Sequence, residues 1–321
     1  MTENASLSRR TLMSTAGAAA LAACAPADYA RRAEARWPPE GDFTEAEGLR
    51  IHHLLRGPEG APPAVLLHGA TGNLRDFSFD LLDRVAAAGF RAVAFDRPGL
   101  GYSDRPAPEA EPWRPATQAR ILRAAAAKLG LAENAVVIGH SWGASVAMAW
   151  ALQAPEATRG VVTIGGATMP WDKSEGLLDP ILESAPATAL KGALARAMIG
   201  LDGGEEVAER IFKPQAAPEG YIAHVGGPLI LRPASFRANS QDIDRLHGAL
   251  AEQAQGYAAL DVPVRALHGA EDEITWPSIH ATGMAALLPR GEARIVDGIG
   301  HMLHHARPDL VMDALAEVTA A

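Results

Sequence analysis

Cysteine is nearly missing from this chain of 321 residues, which has one, Cys24. A single thiol excludes an internal disulfide framework and a cysteine-based metal site. Clustered basic charge is missing as well. The net charge is -9 and the lysines and arginines are scattered, so the electrostatic footprint that a nucleic-acid backbone requires is not there. The chain also lacks the polar, charge-rich makeup of disorder. Hydrophobic residues make up 48% and charged residues 21%, enough to bury the core of one large domain with an insertion, or of two modest ones.

What is there begins with an address. Ser8-Arg9-Arg10-Thr11 precedes a small, weakly apolar run, too short to span a bilayer, that ends in Leu21-Ala22-Ala23-Cys24. Basic residues, a short apolar run and small residues, in that order, have the layout of a secretory signal. The paired arginines resemble a twin-arginine export signal, and the last four residues resemble the lipobox of bacterial lipoproteins. The resemblance implies loss of residues 1–23, a diacylglycerol on Cys24, and an exported protein held at a membrane by its N-terminal lipid. Residues 24–47 then read as a tether and lead-in.

From about residue 48, short apolar runs alternate with longer helical ones, the signature of a mostly parallel sheet covered by helices. The spacing predicts strands at 49–55, 64–67, 91–95, 135–138, 161–164, 264–267 and 293–296, and helices at 81–88, 117–129, 144–153, 278–288 and 309–318. Continuous apolar runs such as Ala135-Val136-Val137-Ile138 suit strands buried on both faces. Residues 167–260 break the rhythm. They hold helical pieces, several prolines and aromatics such as Trp171 and Phe236, which predicts a helical insertion between two strands rather than a linker.

The chemistry gathers at the ends of predicted strands. A serine hydroxyl is a poor nucleophile near neutral pH; it needs a base, an acid to orient the base, and donors for an oxyanion. Gly139-His140-Ser141-Trp142-Gly143, with a strand before and a helix after, fits a nucleophile elbow and makes Ser141 the candidate nucleophile. Past the strand at 264–267 stand Glu271, Asp272 and Glu273; Asp272 is the preferred acid, and Asp172 a weaker one. His301 follows the last strand and completes the chain order serine, aspartate, histidine. With His304 and His305 it forms a run that could hint at a metal, but no carboxylate cluster lies nearby in sequence, and the two are read as first-turn helix residues. The backbone N–H groups of Trp142 and Ala70 are the candidate oxyanion donors, with Thr71 as substitute for Ala70.

His68-Gly69-Ala70, Asp96-Arg97-Pro98-Gly99-Leu100-Gly101-Tyr102-Ser103, the Ser141 pentapeptide and the Asp272 and His301 pair together resemble the α/β-hydrolase superfamily, in its lid-bearing esterase, haloperoxidase-like and epoxide-hydrolase-like branch. The resemblance implies an α/β fold with an eight-stranded, mostly parallel sheet over residues 48–166 and 261–321, and a helical lid at 167–260. It further implies Ser141 as nucleophile, His301 as base, Asp272 as its partner, and a loop at 96–103 that shapes the site's floor. The reaction expected is cleavage of a small-molecule ester or related acyl bond through an acyl-enzyme, with no metal or organic cofactor. Dehalogenases and epoxide hydrolases of that branch carry aspartate at the elbow, and Ser141 argues against both. Two alternatives stay open: a carbon-carbon bond hydrolase of the same fold, and a ligand-binding module without turnover.

Overall fold

The computed structural model describes residues 26–171 and 185–321. Cys24 and Asp172 lie outside the described residues. In chain order the main elements are α1 (Pro26–Arg36), β1 (Asp42–Ala46), β2 (Leu49–Arg56), β3 (Pro63–Leu67), α2 (Arg75–Ser78), α3 (Leu81–Ala87), β4 (Arg91–Phe95), α4 (Pro115–Lys128), β5 (Ala135–His140), α5 (Trp142–Gln153) and β6 (Thr158–Ile164). They continue with α6 (Ala185–Ile199), α7 (Glu205–Phe212), α8 (Tyr221–Val225), α9 (Pro233–Gln253), β7 (Val264–Gly269), β8 (Gly291–Val296), α10 (Leu303–Ala306) and α11 (Pro308–Ala320).

Eight strands form one sheet in the order β1-β2-β4-β3-β5-β6-β7-β8. The β1–β2 and β2–β4 pairs are antiparallel and the rest are parallel. Strand β5 is buried along its whole length, because helices cover both faces of the sheet. Two large apolar clusters fill those faces, one including Trp142, Trp150 and Tyr257, the other Phe77, Leu81 and Val311.

The sheet order turns around at β3, which lies between β4 and β5. Loops leaving the C-terminal ends of β3 and β5 therefore part and leave a crevice, the usual place for a ligand in an open α/β sheet. Between β6 and β7 the described chain is helical, and α6 to α9 stand over that same edge.

Residues 26–47, expected as a tether, instead hold a helix and a strand. Strand β1 is an edge strand whose residues are mostly solvent-exposed, so it offers no apolar run to read. Helix α1 buries only Tyr29 and Ala33, and it does so against residues some 200 positions away, among them Leu229 and Leu231. The helix expected at 278–288 opens with a π-helical turn over Ser278–Gly283.

Candidate active site

Strand β5 ends at His140 and α5 starts at Trp142, so Ser141 alone makes the turn, with φ 52° and ψ -121°. A side chain there is strained, and surrounding bonds must hold it. The Ser141 N–H donates to the Ile164 carbonyl at 2.9 Å, and the Ser141 carbonyl accepts from the N–H of Ala144 and of Ala167, each at 3.0 Å. The tight turn also explains two glycines. A Cβ on Gly143 would overlap the Leu67 carbonyl oxygen, and one on Gly69 would sit 2.9 Å from the Ser141 Cβ. Small residues at these points let α5 and the loop after β3 close on the serine.

Asp272 lies in the loop after β7, buried, with both oxygens occupied. Oδ1 accepts the N–H groups of Ile274 at 2.8 Å and Thr275 at 3.0 Å. Oδ2 lies 2.8 Å from His301 Nδ1, 2.9 Å from Thr275 Oγ1 and 3.0 Å from His268 Nε2. Burial pushes this carboxyl up, but the charge of His301 and the bonds from His268 and His301 outweigh it and hold it well below the usual carboxylate range. An ionised Asp272 keeps His301 Nδ1 as a donor and leaves Nε2 free to act as a base. The other two carboxylates of this loop stay at the surface: Glu271 accepts the Gly298 N–H at 2.9 Å, and Glu273 is exposed.

At the candidate oxyanion position, Trp142 is the first residue of α5. Its N–H therefore has no acceptor within the helix and sits at the positive end of the helix dipole. In the facing loop the Thr71 N–H is already bonded to Asn239 Oδ1 at 2.7 Å, which removes Thr71 as the substitute donor and leaves Ala70. Ala70, Ser141, Trp142 and His301 all line one cavity of about 360 Å³, whose walls are mostly apolar. Residues of α7, α8 and α9, among them Ile211, Ile222 and Leu246, roof it.

The 96–103 loop reaches partners in the site's support that gave no sequence signal. Arg97, fully buried, donates from Nε to the His68 carbonyl at 2.8 Å, from Nη2 to the Gly69 carbonyl at 3.1 Å and from Nη1 to Asp242 at 3.0 Å. Its guanidinium lies 4.1 Å from the Trp142 ring centroid. Asp242 also accepts from Gln118 and Arg105, and Trp142 Nε1 donates to its carbonyl at 3.1 Å. Asp242 and Asn239 belong to α9, so the lid's long helix fixes the loop that carries Ala70. The 96–103 stretch supplies Arg97 and an anchoring carboxylate: Asp96 accepts the Leu74 and Tyr102 N–H groups at 2.7 Å each and pairs with His52 Nδ1 at 2.6 Å.

A second carboxylate–histidine cluster adjoins the first. His304 and His305, read from sequence as ordinary helix residues without a carboxylate nearby, both meet Asp76, which stands 228 and 229 positions upstream. Sequence distance hid that partner. Nε2 of His304 lies 3.2 Å from Asp76 Oδ2, and Nε2 of His305 lies 2.8 Å from Oδ1, to which the Tyr221 hydroxyl of α8 also donates at 2.8 Å. His140 completes the group with Nδ1 3.7 Å from Asp76 Oδ2. Asp76, His140 and His304 each place one ligand atom within 4.8 Å of the others, a donor grouping that could hold a metal ion. Burial, then the charge of His305, lowers the His304 pKa to about 4. Burial, then the charges of His304 and His301, holds His140 well below the ordinary histidine value.

A family profile described as alpha/beta hydrolase fold matches residues 62–195. The esterase from Exiguobacterium antarcticum superposes with a TM-score of 0.68 over 88% of this chain and 100% of that one, at 20% identity. This chain has the α/β-hydrolase fold. Its sequence is also 33% identical over 123 residues to bifunctional epoxide hydrolase 2 of Sus scrofa, covering 38% of this chain and 21% of that protein. It is 34% identical over 122 residues to a 2-hydroxy-6-oxononadienedioate/2-hydroxy-6-oxononatrienedioate hydrolase of Paraburkholderia phymatum, covering 37% of this chain and 41% of that protein. The match thus spans well under half the length of either curated relative.

Proposed function

We propose that this α/β-hydrolase-fold protein is a serine hydrolase that cleaves an ester or related acyl bond through a covalent acyl-enzyme. The observation that carries the reading is Ser141 on its strained turn at the start of α5, lining the same cavity as a histidine whose Nδ1 is held by Asp272. In this reading His301 Nε2 takes the Ser141 proton as Oγ attacks the carbonyl carbon. The oxyanion that forms is met by the Trp142 and Ala70 N–H groups. His301 then gives its proton to the leaving alcohol as the bond to it breaks. A water, deprotonated by His301, attacks the acyl carbon; Ser141 leaves as the hydroxyl and the acid is released.

The cavity favours an uncharged, apolar acyl group. Among the described residues no lysine or arginine lines it, while Asp76 does, so a dicarboxylate of the kind named for the Paraburkholderia relative would meet no cation and one carboxylate. That weighs against the carbon-carbon hydrolase alternative. Replacing Ser141 with alanine should abolish hydrolysis of p-nitrophenyl esters, a loss on the order of 10⁶-fold in turnover. Turnover retained by Ser141→Ala would remove the assignment.

Export and lipid anchoring at Cys24 belong to the same reading and rest on the order twin arginine, short apolar run, Leu-Ala-Ala-Cys. In a bacterial host, Cys24→Ser should eliminate metabolic labelling by a palmitate analogue and release the protein from membranes. Native protein found in the cytosol with residues 1–23 intact would contradict it.

A further inference from the structure

Helix α6 turns a face without charge toward solvent. Ala189, Leu190, Ala193, Leu194, Ala197 and Met198 are all exposed, and Leu190, Leu194 and Met198 reach 62%, 54% and 84% of full exposure. A spacing of four residues sets those three in one line along the helix. The opposite side is tied down: Arg196 is buried and donates to the Leu231 carbonyl at 3.1 Å, and Ala195 and Ile199 pack against the cluster of Tyr29, Trp37, Leu229 and Leu231. The outward stripe is therefore not a core face turned the wrong way. Ile199, next to Met198, and Val207 of α7, which is 51% exposed, both line the catalytic cavity, so apolar surface leads from the outside of the lid to the site.

The other end of the argument is where the chain enters the fold. Helix α1 begins at Pro26 and docks on this same part of the lid. The Tyr29 hydroxyl lies 3.1 Å from the Gly200 carbonyl, just past the end of α6, and 3.2 Å from the Pro228 carbonyl, while Arg36 donates to the Leu201 carbonyl at 3.0 Å. Cys24 is five residues before Tyr29, so covalent geometry keeps it within about 18 Å of that tyrosine. A lipid on Cys24 would be tethered within that reach of Tyr29, whose hydroxyl meets the Gly200 carbonyl at the C-terminal end of α6. Charge narrows the kind of surface: Glu205, Glu206 and Glu209 are exposed beside the stripe with Lys191 and Arg210 among them, and Asp202 is paired with Arg36, which leaves a slight acidic excess that disfavours an anionic bilayer.

We propose that the outer face of α6 is a docking surface for a neutral, zwitterionic phospholipid membrane, with the lid laid against the bilayer. Resting on the serine-hydrolase reading, this orientation makes the substrate class an acyl ester carried in the lipid phase. Six apolar side chains on one helix face, bordered by charges of both signs, match interfacial helices that bind by area more than by charge.

The test uses the full chain with Cys24→Ser, in which Met198→Cys supplies the only thiol. A solvatochromic dye on that thiol should shift to the blue with phosphatidylcholine vesicles, and less with vesicles rich in phosphatidylserine. The same dye on Lys128→Cys, at the exposed C-terminal end of α4, which leads to the start of β5 and so to the opposite edge of the sheet, should not shift. In the Cys24→Ser chain, Leu190→Glu with Leu194→Glu should lower vesicle-bound protein at least tenfold in flotation, with fluorophosphonate labelling and the circular dichroism spectrum unchanged. The same pair should reduce hydrolysis of a vesicle-borne ester while sparing a soluble one; loss of both would count against the hydrolase site, not the surface. No shift at position 198, flotation retained by the double variant (binding through residues 1–24), or a vesicle-free, concentration-dependent shift (a second copy on this face) would each overturn the proposal.

Discussion

Two buried aspartates flank the candidate catalytic cavity, each bonded to two histidines, and they are held in different ways. Asp272 is held from below by loop backbone, through the N–H groups of Ile274 and Thr275, and its histidines come from strand ends of the core. His301 presses on the cavity beside Ser141. Asp76 is held by side chains, from α10 and from Tyr221 of the lid. In the proposed reading the same pair of residue types orients a base in one place and clamps a lid in the other. Backbone anchoring gives a fixed direction to a single histidine; side-chain anchoring ties separate elements together.

Substitution at the two positions should break that symmetry. Asp272→Asn removes the charge that keeps His301 Nδ1 as donor, and should cost about 10⁴-fold in turnover of p-nitrophenyl esters, with the thermal midpoint little changed. Asp76→Asn weakens the hydrogen bonds that His304, His305 and Tyr221 make to the carboxylate and should destabilise the fold by roughly 2 kcal/mol in denaturant titration, with turnover reduced less than tenfold. Equal catalytic losses at the two sites would show that Asp76 acts on His301 rather than on the lid.

A smaller effect should appear in the pH dependence of stability. His304 is neutral in the fold, with a pKa lowered to about 4 by burial and then by the charge of His305. His68, lowered to about 4 by burial and then by Arg97, accepts the Arg97 N–H on Nε2 at 3.0 Å. His280, also lowered to about 4 by burial and then by the charge of His268, accepts the Thr168 and Met169 N–H groups on Nδ1 at 3.2 Å each. The unfolded chain protonates these groups first, so stability should decline as pH falls from 6.5 to 4 and their contribution should level off below that. Asp76 and Asp272, both held low, keep their contribution through this window and lose it only at lower pH. A denaturation midpoint that rises between pH 6.5 and 4.5 would contradict the neutral state of these histidines.

The candidate triad was legible in the sequence because each member sits in a local pattern: a strand's apolar run, then a glycine turn or a polar loop, then a helix. Ser141, Asp272 and His301 each follow such a run, and the parallel sheet brings those strand ends to one edge. Asp76, Asn239 and Asp242 carried no signal, since each matters through a partner 145 or more positions away, as in the Arg97–Asp242 pair, or 168, as in Thr71–Asn239. Strand β1 and helix α1 were illegible for a related reason. One is an exposed edge strand and the other buries two residues against the lid, so neither shows the periodicity of a self-contained amphipathic element.

The most direct test of the central claim is peptide mass spectrometry after reaction with a fluorophosphonate. The account predicts one phosphonyl adduct, on Ser141, absent from Ser141→Ala and formed far more slowly in Asp272→Asn than in Asp76→Asn. An adduct on another residue, or none on folded native protein, would contradict it.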